Sequence, residues 1–547
     1  MSIGGLRATT PHWLLKRAIS RWWSLSLSAL LLATALSRLP NVTSNIRYID
    51  YWDEFQVFWN SMFMVREGRL TTEFFFYGHF AFYLALATSA PILLILHRTG
   101  ALQTLNEVVP RPDYEFSLGY SELLVAQRAL WLGLSLVLIV ITARIGAQLS
   151  DKVTGFIAAV ILAVNPLAVL VGTRLVVDGV AATLAGGAWL IALGTLSNAS
   201  TNESISRLRT AAIVAGLAAA TKYNYGVVAL APVCALFVRR GLDLDIRDRA
   251  RLTIGLGIRS VGAFGLAMPS AFLFPHTFIN HLRFQSHWYR TATGFSEPGI
   301  AQLMTQIKSL QSNFGLPTLA LLVVGIGSTA LRRDAWRPAL VLLLPVLPFG
   351  FVMLNARVDF HRHWMLFYPV FAVMSATGLT SLARLLVRST ASTAFRNCTA
   401  AHKLGGAIAV LAAITINWTG VSNLAPTENP FSQFDTAQDT RSSAMASVFA
   451  TACPAGSNVF VDELLLVNGP DLRPPCNGSN VTVMRRSDAI RTAEPNDVIV
   501  LCGDTLIARE VLLEVANFEG SDCLTSLVPL WSNPPRNNPS VSVFSKR

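Results

Sequence analysis

The sequence predicts a polytopic α-helical membrane protein with a small α/β domain at its carboxy-terminal end. Three observations carry that prediction. Hydrophobic residues make up 52% of the 547 and charged residues only 14%, with mean hydropathy +0.46, whereas a soluble domain averages about 25% charged residues. Apolar stretches long enough to cross a bilayer, at about 20 residues each, recur as far as residue 422. Beyond that point the polar, linker-like TENPFSQFDTAQDT gives way to short alternating strand and helix patterns.

The net charge of +12 would suit a nucleic-acid partner if it were gathered on one soluble face. It falls instead in short clusters between apolar runs, which reads as topology signals and excludes nucleic acid. The basic RAISRWW start resembles a signal peptide, but no small-residue cleavage site follows SLSLSALLLATALSRL. The first apolar stretch therefore reads as a retained helix that starts in the cytoplasm.

The crossing stretches lie near 22–40, 124–143, 153–172, 179–196, 210–222, 225–238, 252–275, 315–331, 338–354, 364–383 and 403–422. Two segments are open to a second reading. FFFYGHFAFYLALATSAPILLILH, residues 74–97, is long enough to cross, and 210–238 reads as one long helix or as two broken near Lys222, Tyr223 and Asn224. The positive-inside rule arbitrates, because each extra crossing flips every later loop. If 74–97 is interfacial or re-entrant and 210–238 is two helices, five basic groups fall on the cytoplasmic side. They are Arg144 with Lys152, Arg207 with Arg209, Arg239 with Arg240, Arg332 with Arg333, and Arg384 with Arg388 and Arg396. The result is about eleven spans with residues 1–422 as the membrane domain and 423–547 outside. It also sets Asp53 and Asp178 on the same outer face.

In the outer portion, NVFVDELLLV and NDVIVLCG read as strands and TLIAREVLLEVANF as an amphipathic helix, which makes a small α/β domain. Four of the six cysteines, Cys453, Cys476, Cys502 and Cys523, lie there. An even number in an outer compartment suits disulfides, with three pairings open; free buried thiols are the alternative, and no two have the CxxC spacing of a zinc site.

Asp53 and Glu54 follow the first apolar stretch in NIRYIDYWDEFQVFWN, and ionisable groups at a membrane boundary are functional candidates. Asp178 follows the proline-containing NPLAVLVGTRLVVDG. Lys222 stands alone in the apolar GLAAATKYNYG. The outer loop FLFPHTFINHLRFQSHWYRTATGFSEPG gathers His276, His281, Arg283, His287, Tyr289 and Arg290, and NARVDFHRHWMLFYP adds Arg357, Asp359, His361, Arg362 and His363. Carboxylates and cations on one face suit sugar transfer from a lipid phosphate. The released phosphate, with its second ionisation near pH 6, needs cations and no general acid. The attacking hydroxyl needs a base, for which a carboxylate serves. Lys, Arg and His near the interface would hold the phosphate while a prenyl chain lies between helices.

These motifs, in this order, resemble the GT-C superfamily of integral-membrane glycosyltransferases: DE in the first outer loop, NP with TRLVVDG, GLAAATK with a following aromatic, LRFQSHWYRTATG, and HRHWMLFYPVFAVMSATGL. The resemblance runs through about residues 20–385 and is closest to the family 39-like branch of protein O-mannosyltransferases and the lipid A aminoarabinose transferase. It implies a GT-C fold with interfacial helices in the first outer loop, a polyprenyl-phosphate sugar donor, an acceptor glycan, lipid or protein reached from the outer side, and inversion at the anomeric carbon. By position, it implies that Asp53 is the base or acceptor-orienting group, Glu54 its motif partner and Asp178 a second aspartate near the reaction. Lys222 matches the lysine of a threonine-lysine motif near the donor phosphate, and Arg362 a basic residue before a late proline-bearing helix. His287 is a further candidate on the phosphate. YGHFAFYLALATSAP stands where many relatives have a lysine-proline-proline stretch, a departure that bears on the acceptor class.

Plainer readings stand beside these. Asp53 and Glu54 would also suit solvated charges at a helix end. Asp178 would suit an i,i+4 ion pair with Arg174, and Lys222 a snorkelling anchor. His276, His281, His361 and His363 read as surface or packing residues. Hard carboxylate ligands would suit Mg²⁺ or Mn²⁺, but no dense acidic cluster is visible and the family 39-like resemblance implies no cofactor. A transporter or a non-catalytic glycolipid-binding protein is the rival class, although no pair of interrupted helices repeats in two halves. A bacterial inner membrane, with the site facing the periplasm or exterior, is the expected location.

Overall fold

The structure is a computed structural model that describes residues 12–43, 52–100 without 73, 102, 120–390 without 198–199, 243, 292–295 and 359, and five strands between 459 and 546. The membrane part consists of helices α1 (His12–Thr43), α2 (Trp52–Arg66), α3 (Phe80–Arg98), α4 (Tyr120–Leu149), α5 (Lys152–Ala163), α6 (Pro166–Thr173), α7 (Val177–Gly194) and α8 (Thr201–Thr221). After a 3₁₀ helix at Tyr223–Ala229 come α9 (Leu230–Val238), α10 (Ile246–Ala267), α11 (Ser270–Leu273), α12 (Pro275–Thr291) and α13 (Ile300–Leu331). Then α14 (Trp336–Leu343), α15 (Val346–Leu354), a 3₁₀ turn at His361–Phe367 and α16 (Tyr368–Thr390) complete it.

Among the described residues, seven helices are long and apolar enough to cross a membrane, or eight with the bent pair α5 and α6 taken as one span. The chain is an integral, multi-pass membrane protein. The expectation of about eleven spans exceeds that number for identifiable reasons. Stretches 210–222 and 252–275 lie largely in α8 and α10, but those helices carry Arg207, Arg209, Arg251 and Arg259 and fall outside the set. Stretch 225–238 is a short apolar pair of helices, and 403–422 lies outside the described residues.

Residues 74–97 are the other departure in span number. The helical part, α3, does meet the crossing criterion by length and composition. Its packing argues for a place along one end of the bundle: Ala81, Phe82, Ala85 and Leu93 share a buried cluster with α2, with Leu123, Leu124 and Trp131 near the start of α4, and with Leu175, Val177 and Val180. Ile139 and Ala143, further along α4, belong to a different cluster.

Local sequence explains the breaks that shape this end. Asp151 caps α5 by accepting the Thr154 amide at 2.8 Å. Asn165 caps α6 by accepting Ala168 N at 3.0 Å, with Pro166 at its first position, so the chain turns by 69° between the two helices. The 153–172 stretch is thus one apolar run in sequence and a bent pair in space.

Helix α16 is the interior helix, with 89% of its most apolar window buried, against 22% for α1. It can lie against α13 because glycine faces backbone on both sides: a Cβ at Gly325 would run into the Met374 carbonyl, and one at Gly378 into that of Leu321. Phe349, Trp364 and Phe367 form an edge-to-face aromatic cluster, and Trp189 packs on Phe367 at 5.8 Å.

The carboxy-terminal portion contains a five-stranded mixed sheet of β1 (Val459–Asp462), β2 (Val481–Met484), β3 (Val498–Cys502), β4 (Leu527–Ser532) and β5 (Val541–Lys546), in the order β2-β1-β3-β5-β4. The first three pair in parallel, with Val459 opposite both Val481 and Val498, and β5 runs antiparallel to β3 and β4. Strands were expected within 458–467 and 496–503, and β1 and β3 lie there. The amphipathic helix expected at TLIAREVLLEVANF and Cys453, Cys476 and Cys523 lie outside the described residues, so no pairing is assigned.

Candidate active site

Four chain breaks meet at the end of the bundle where α2 begins. Helix α2 presents Asp53 and Glu54 in its first turn, and α7 presents Asp178 in its own. Carboxylates there are favoured by the partial positive charge of a helix N-terminus. Lys222 sits between α8 and the following 3₁₀ helix in extended conformation, φ −150° and ψ 120°. Arg362 lies on the 3₁₀ turn before α16.

The four side chains form one buried charge cluster. Lys222 Nζ is 2.6 Å from Asp178 Oδ1, which also accepts the Tyr225 hydroxyl at 3.0 Å. Arg362 reaches both aspartates: its Nε is 2.9 Å from Asp53 Oδ2 and 4.0 Å from Asp178 Oδ2, and its NH2 donates to Asp53 Oδ1 at 3.3 Å. The short Nε contact is a charge contact without hydrogen-bond angles, so neither Oδ2 accepts a hydrogen bond from a described group. Both of those oxygens face the same guanidinium. The aspartates are 1% and 0% exposed and the cations 18% and 12%, so the cluster balances two negative with two positive charges away from bulk water.

The sequence-based pairing of Asp178 with Arg174 is not formed. Arg174 caps α6 and turns away, donating to the Asn41 carbonyl at 3.2 Å. Lys222 is the aspartate's partner, brought from 44 residues away. Glu54 makes no contact with the cluster's cations among its described partners and is gripped by Arg128, whose Nε and NH2 each lie 2.7 Å from a different carboxylate oxygen; the Leu175 amide donates to the same group at 3.1 Å. Burial pushes the Glu54 carboxyl up, yet Arg128, Arg174 and the Leu175 amide outweigh it and leave its pKa below the ordinary value.

Several site residues had no place in the motif reading. Tyr77 donates its hydroxyl to Asp53 Oδ1, and burial followed by the Asp53 charge raises its pKa well above normal, so it remains a donor. Its segment is fixed from several sides. Tyr223 OH donates to the carbonyls of Phe75 and Tyr77 at 3.0 and 3.1 Å, Gln285 to that of Phe76 at 2.9 Å, and Gly78 N to Thr221 O at 3.1 Å. A Cβ at Gly78 would collide with the Ala220 carbonyl, so glycine permits this weld to the end of α8 next to Lys222. Arg128 had a sequence signal that passed unused: a lone arginine within the apolar ELLVAQRALWLG.

The late-loop residues divide. Arg362 enters the cluster and stacks 4.4 Å above Phe360. His363 is buried and shares a 3.0 Å hydrogen bond with Tyr289 OH. His281 accepts the Phe75 amide at 3.2 Å and stacks on Phe76, a packing role. His287, a candidate for the phosphate, is not brought into the cluster; it is exposed on α12. Among the described residues, no three His, Cys, Asp or Glu side chains come together as a metal site. The two aspartates are hard oxygen ligands, but Arg362 and Lys222 already stand against them, a poor donor set for a divalent cation.

The fold compares with known structures over nearly the whole length of the chain. ArnT from Cupriavidus metallidurans, crystallised with undecaprenyl phosphate, superposes with a TM-score of 0.55 at 14% identity, covering 95% of this chain and 97% of ArnT. The chain has the GT-C fold. Apo ArnT gives a TM-score of 0.53 at 13% identity, over 96% and 98% of the two chains. An oligosaccharyltransferase from Archaeoglobus fulgidus is more distant, with a TM-score of 0.45 and 12% identity over 80% of this chain and 61% of its own. These neighbours are GT-C superfamily membrane glycosyltransferases. No family model matches the chain and no curated protein matches it in sequence. The likeness therefore lies in the GT-C fold, and the charge cluster stands on this chain's own geometry.

Proposed function

We propose that this protein is a glycosyltransferase that moves a sugar from a polyprenyl-phosphate donor to an acceptor hydroxyl, with inversion and with Asp53 as base. The observation that carries the proposal is the buried cluster of Asp53, Arg362, Asp178 and Lys222 at one end of a GT-C fold. The undecaprenyl phosphate bound to ArnT supports a lipid-phosphate donor.

In this reading the acceptor hydroxyl approaches the anomeric carbon opposite the phosphate. Its proton passes to an Asp53 carboxylate oxygen, the new carbon–oxygen bond forms, and the old one breaks with its electron pair going to the phosphate. Lys222 and Arg362 take the phosphate charge as it develops. Donor binding must then draw both cations partly away from the aspartates, which frees Asp53 as a base. Tyr77 holds the carboxylate's orientation while that happens. Glu54, locked to Arg128, is a positioning residue for α2, and residues 423–547 serve as an outer domain. A bacterial inner membrane with the cluster on the outer side remains the expected setting.

The test is sugar release from a radiolabelled polyprenyl-phosphate hexose by purified full-length protein in detergent, with and without an added acceptor. Transfer or slow hydrolysis that is lost in Asp53→Asn and survives a chelator supports the proposal. Absence of turnover by folded protein with any lipid-phosphate hexose, or full activity of Asp53→Asn, overturns it.

A further inference from the structure

The end of the bundle far from the carboxylate cluster holds a polar cleft. Helix α7 runs from Asp178 in its first turn to Gly194, about 24 Å at 1.5 Å per residue. Just past its far end, Ser197 meets the turn after α9 and the start of α14 around a cleft of about 410 Å³. Three arginines, Arg239, Arg240 and Arg337, line it together with Gly241, and among the described residues no carboxylate does.

Three described carboxylates near these helix ends form ion pairs with arginines outside the cleft. Glu203 pairs with Arg207, Asp334 with Arg332 at 2.8 Å and Asp248 with Arg251 at 3.4 Å. Among the described residues, neither Arg240 nor Arg337 forms an ion pair with an acid. Arg240 and Arg337 act on one another as like charges, whereas Arg239 meets Arg207 as a like charge and Glu203 as an opposite one. Arg240 and Arg337, two like charges on one concave space, repel each other until an anion enters, and the planar guanidinium fork matches phosphate oxygens. Exposed apolar side chains, Phe237 at 47% and Trp336 at 39%, flank the same helix ends. A polar concavity edged by apolar surface suits a headgroup whose chains lie in the bilayer.

We propose that this cleft is an anion site that takes a phosphate group, the phosphodiester of an anionic phospholipid or free phosphate, through Arg239, Arg240 and Arg337. It is separate from the proposed sugar-transfer site. Basic clefts between membrane helices on a cytoplasmic face bind such headgroups, and the sequence places Arg239 and Arg240 on that face by charge distribution.

Arg240 is exposed and Arg337 half-exposed, so replacing them does not open the core. Full-length protein in a neutral detergent is titrated with phosphatidylglycerol, phosphatidylcholine or inorganic phosphate while its thermal unfolding midpoint is followed. The wild type, Arg240→Gln with Arg337→Gln, and Arg247→Gln with Arg333→Gln are compared. The last pair removes equal charge from exposed arginines outside the cleft. Phosphatidylglycerol is expected to raise the wild-type midpoint where phosphatidylcholine does not. The cleft variant should need at least about tenfold more lipid, and the control no more than the wild type. A like response to inorganic phosphate, lost only in the cleft variant, assigns the site to free phosphate. Equal responses of cleft and control variants, or of the two lipids, overturn the proposal.

Discussion

Lys222 Nζ lies 2.6 Å from Asp178 Oδ1 although the two residues begin and end different helices. Asp178 is fully buried and the lysine only 12% exposed. Each therefore depends on the other for its charge to be tolerated, since removing one partner of such a pair costs about 3–5 kcal/mol. Lys222→Met is expected to lower the thermal midpoint and Asp178→Asn to do the same, while the double variant recovers part of the loss. A double-mutant cycle in detergent measures this, and strictly additive losses would refute the coupling.

In the proposed reaction, Lys222 and Arg362 both receive the leaving phosphate. Removing one such charge stabiliser costs about 10²–10³ in rate where charge develops. Lys222→Met and Arg362→Gln are each expected to reduce turnover of a lipid-phosphate sugar by that order. Asp53→Asn, which removes the proposed base, is expected to cost about 10²–10⁴. Single-turnover rates with labelled donor are the readout. A variant that alters only donor affinity would move its cation from catalysis to binding.

The contact between Gly78 and the end of α8 brings Tyr77 to Asp53 beside Lys222. Gly78→Ala puts a methyl against the Ala220 carbonyl and is expected to cost about 1–3 kcal/mol of stability by overpacking. It should also reduce turnover more than Tyr77→Phe, which deletes a single hydroxyl. Gly78→Ala with wild-type midpoint and rate would mean that the segment is not pinned as described.

The Glu54 pair gives a pH dependence with a defined sign. Its folded pKa is depressed, so its contribution is fully present above the unfolded value, ordinarily about 4.3, and is lost as pH falls through the folded value. The unfolding midpoint is expected to drop steeply with acidification below about 4.3. Glu54→Gln should flatten that limb while lowering stability at neutral pH by about 3–5 kcal/mol, because Arg128 is left buried. An unchanged acid limb in the variant would remove Glu54 from this role.

Much of this end of the molecule was legible in sequence. Asp53, Asp178 and Lys222 stood out as charges in an apolar chain and Arg362 by the GT-C resemblance, and all four meet in one cluster. His287 stood out for the same kind of reason and stays on the surface. A histidine on an amphipathic helix costs little when exposed, so its presence there carries less information than a buried lysine. Tyr77 and Gly78 were silent because tyrosine and glycine are ordinary in a loop. Only the approach of that loop to α8 gives them a function.

The sequence by itself determined that the chain is a multi-pass helical membrane protein, which side chains carry its costly charges, and the order of motifs that resembles the GT-C superfamily. The first two follow from composition and from period along one dimension, and the third is a resemblance carried by the order and spacing of several motifs. Tertiary structure alone decided the pairing: Asp178 with Lys222 and not Arg174, Glu54 with Arg128, and Arg362 between two aspartates. A charge buried away from water must find a partner in space, and partners 44, 74 or 309 residues away have no signature in local sequence.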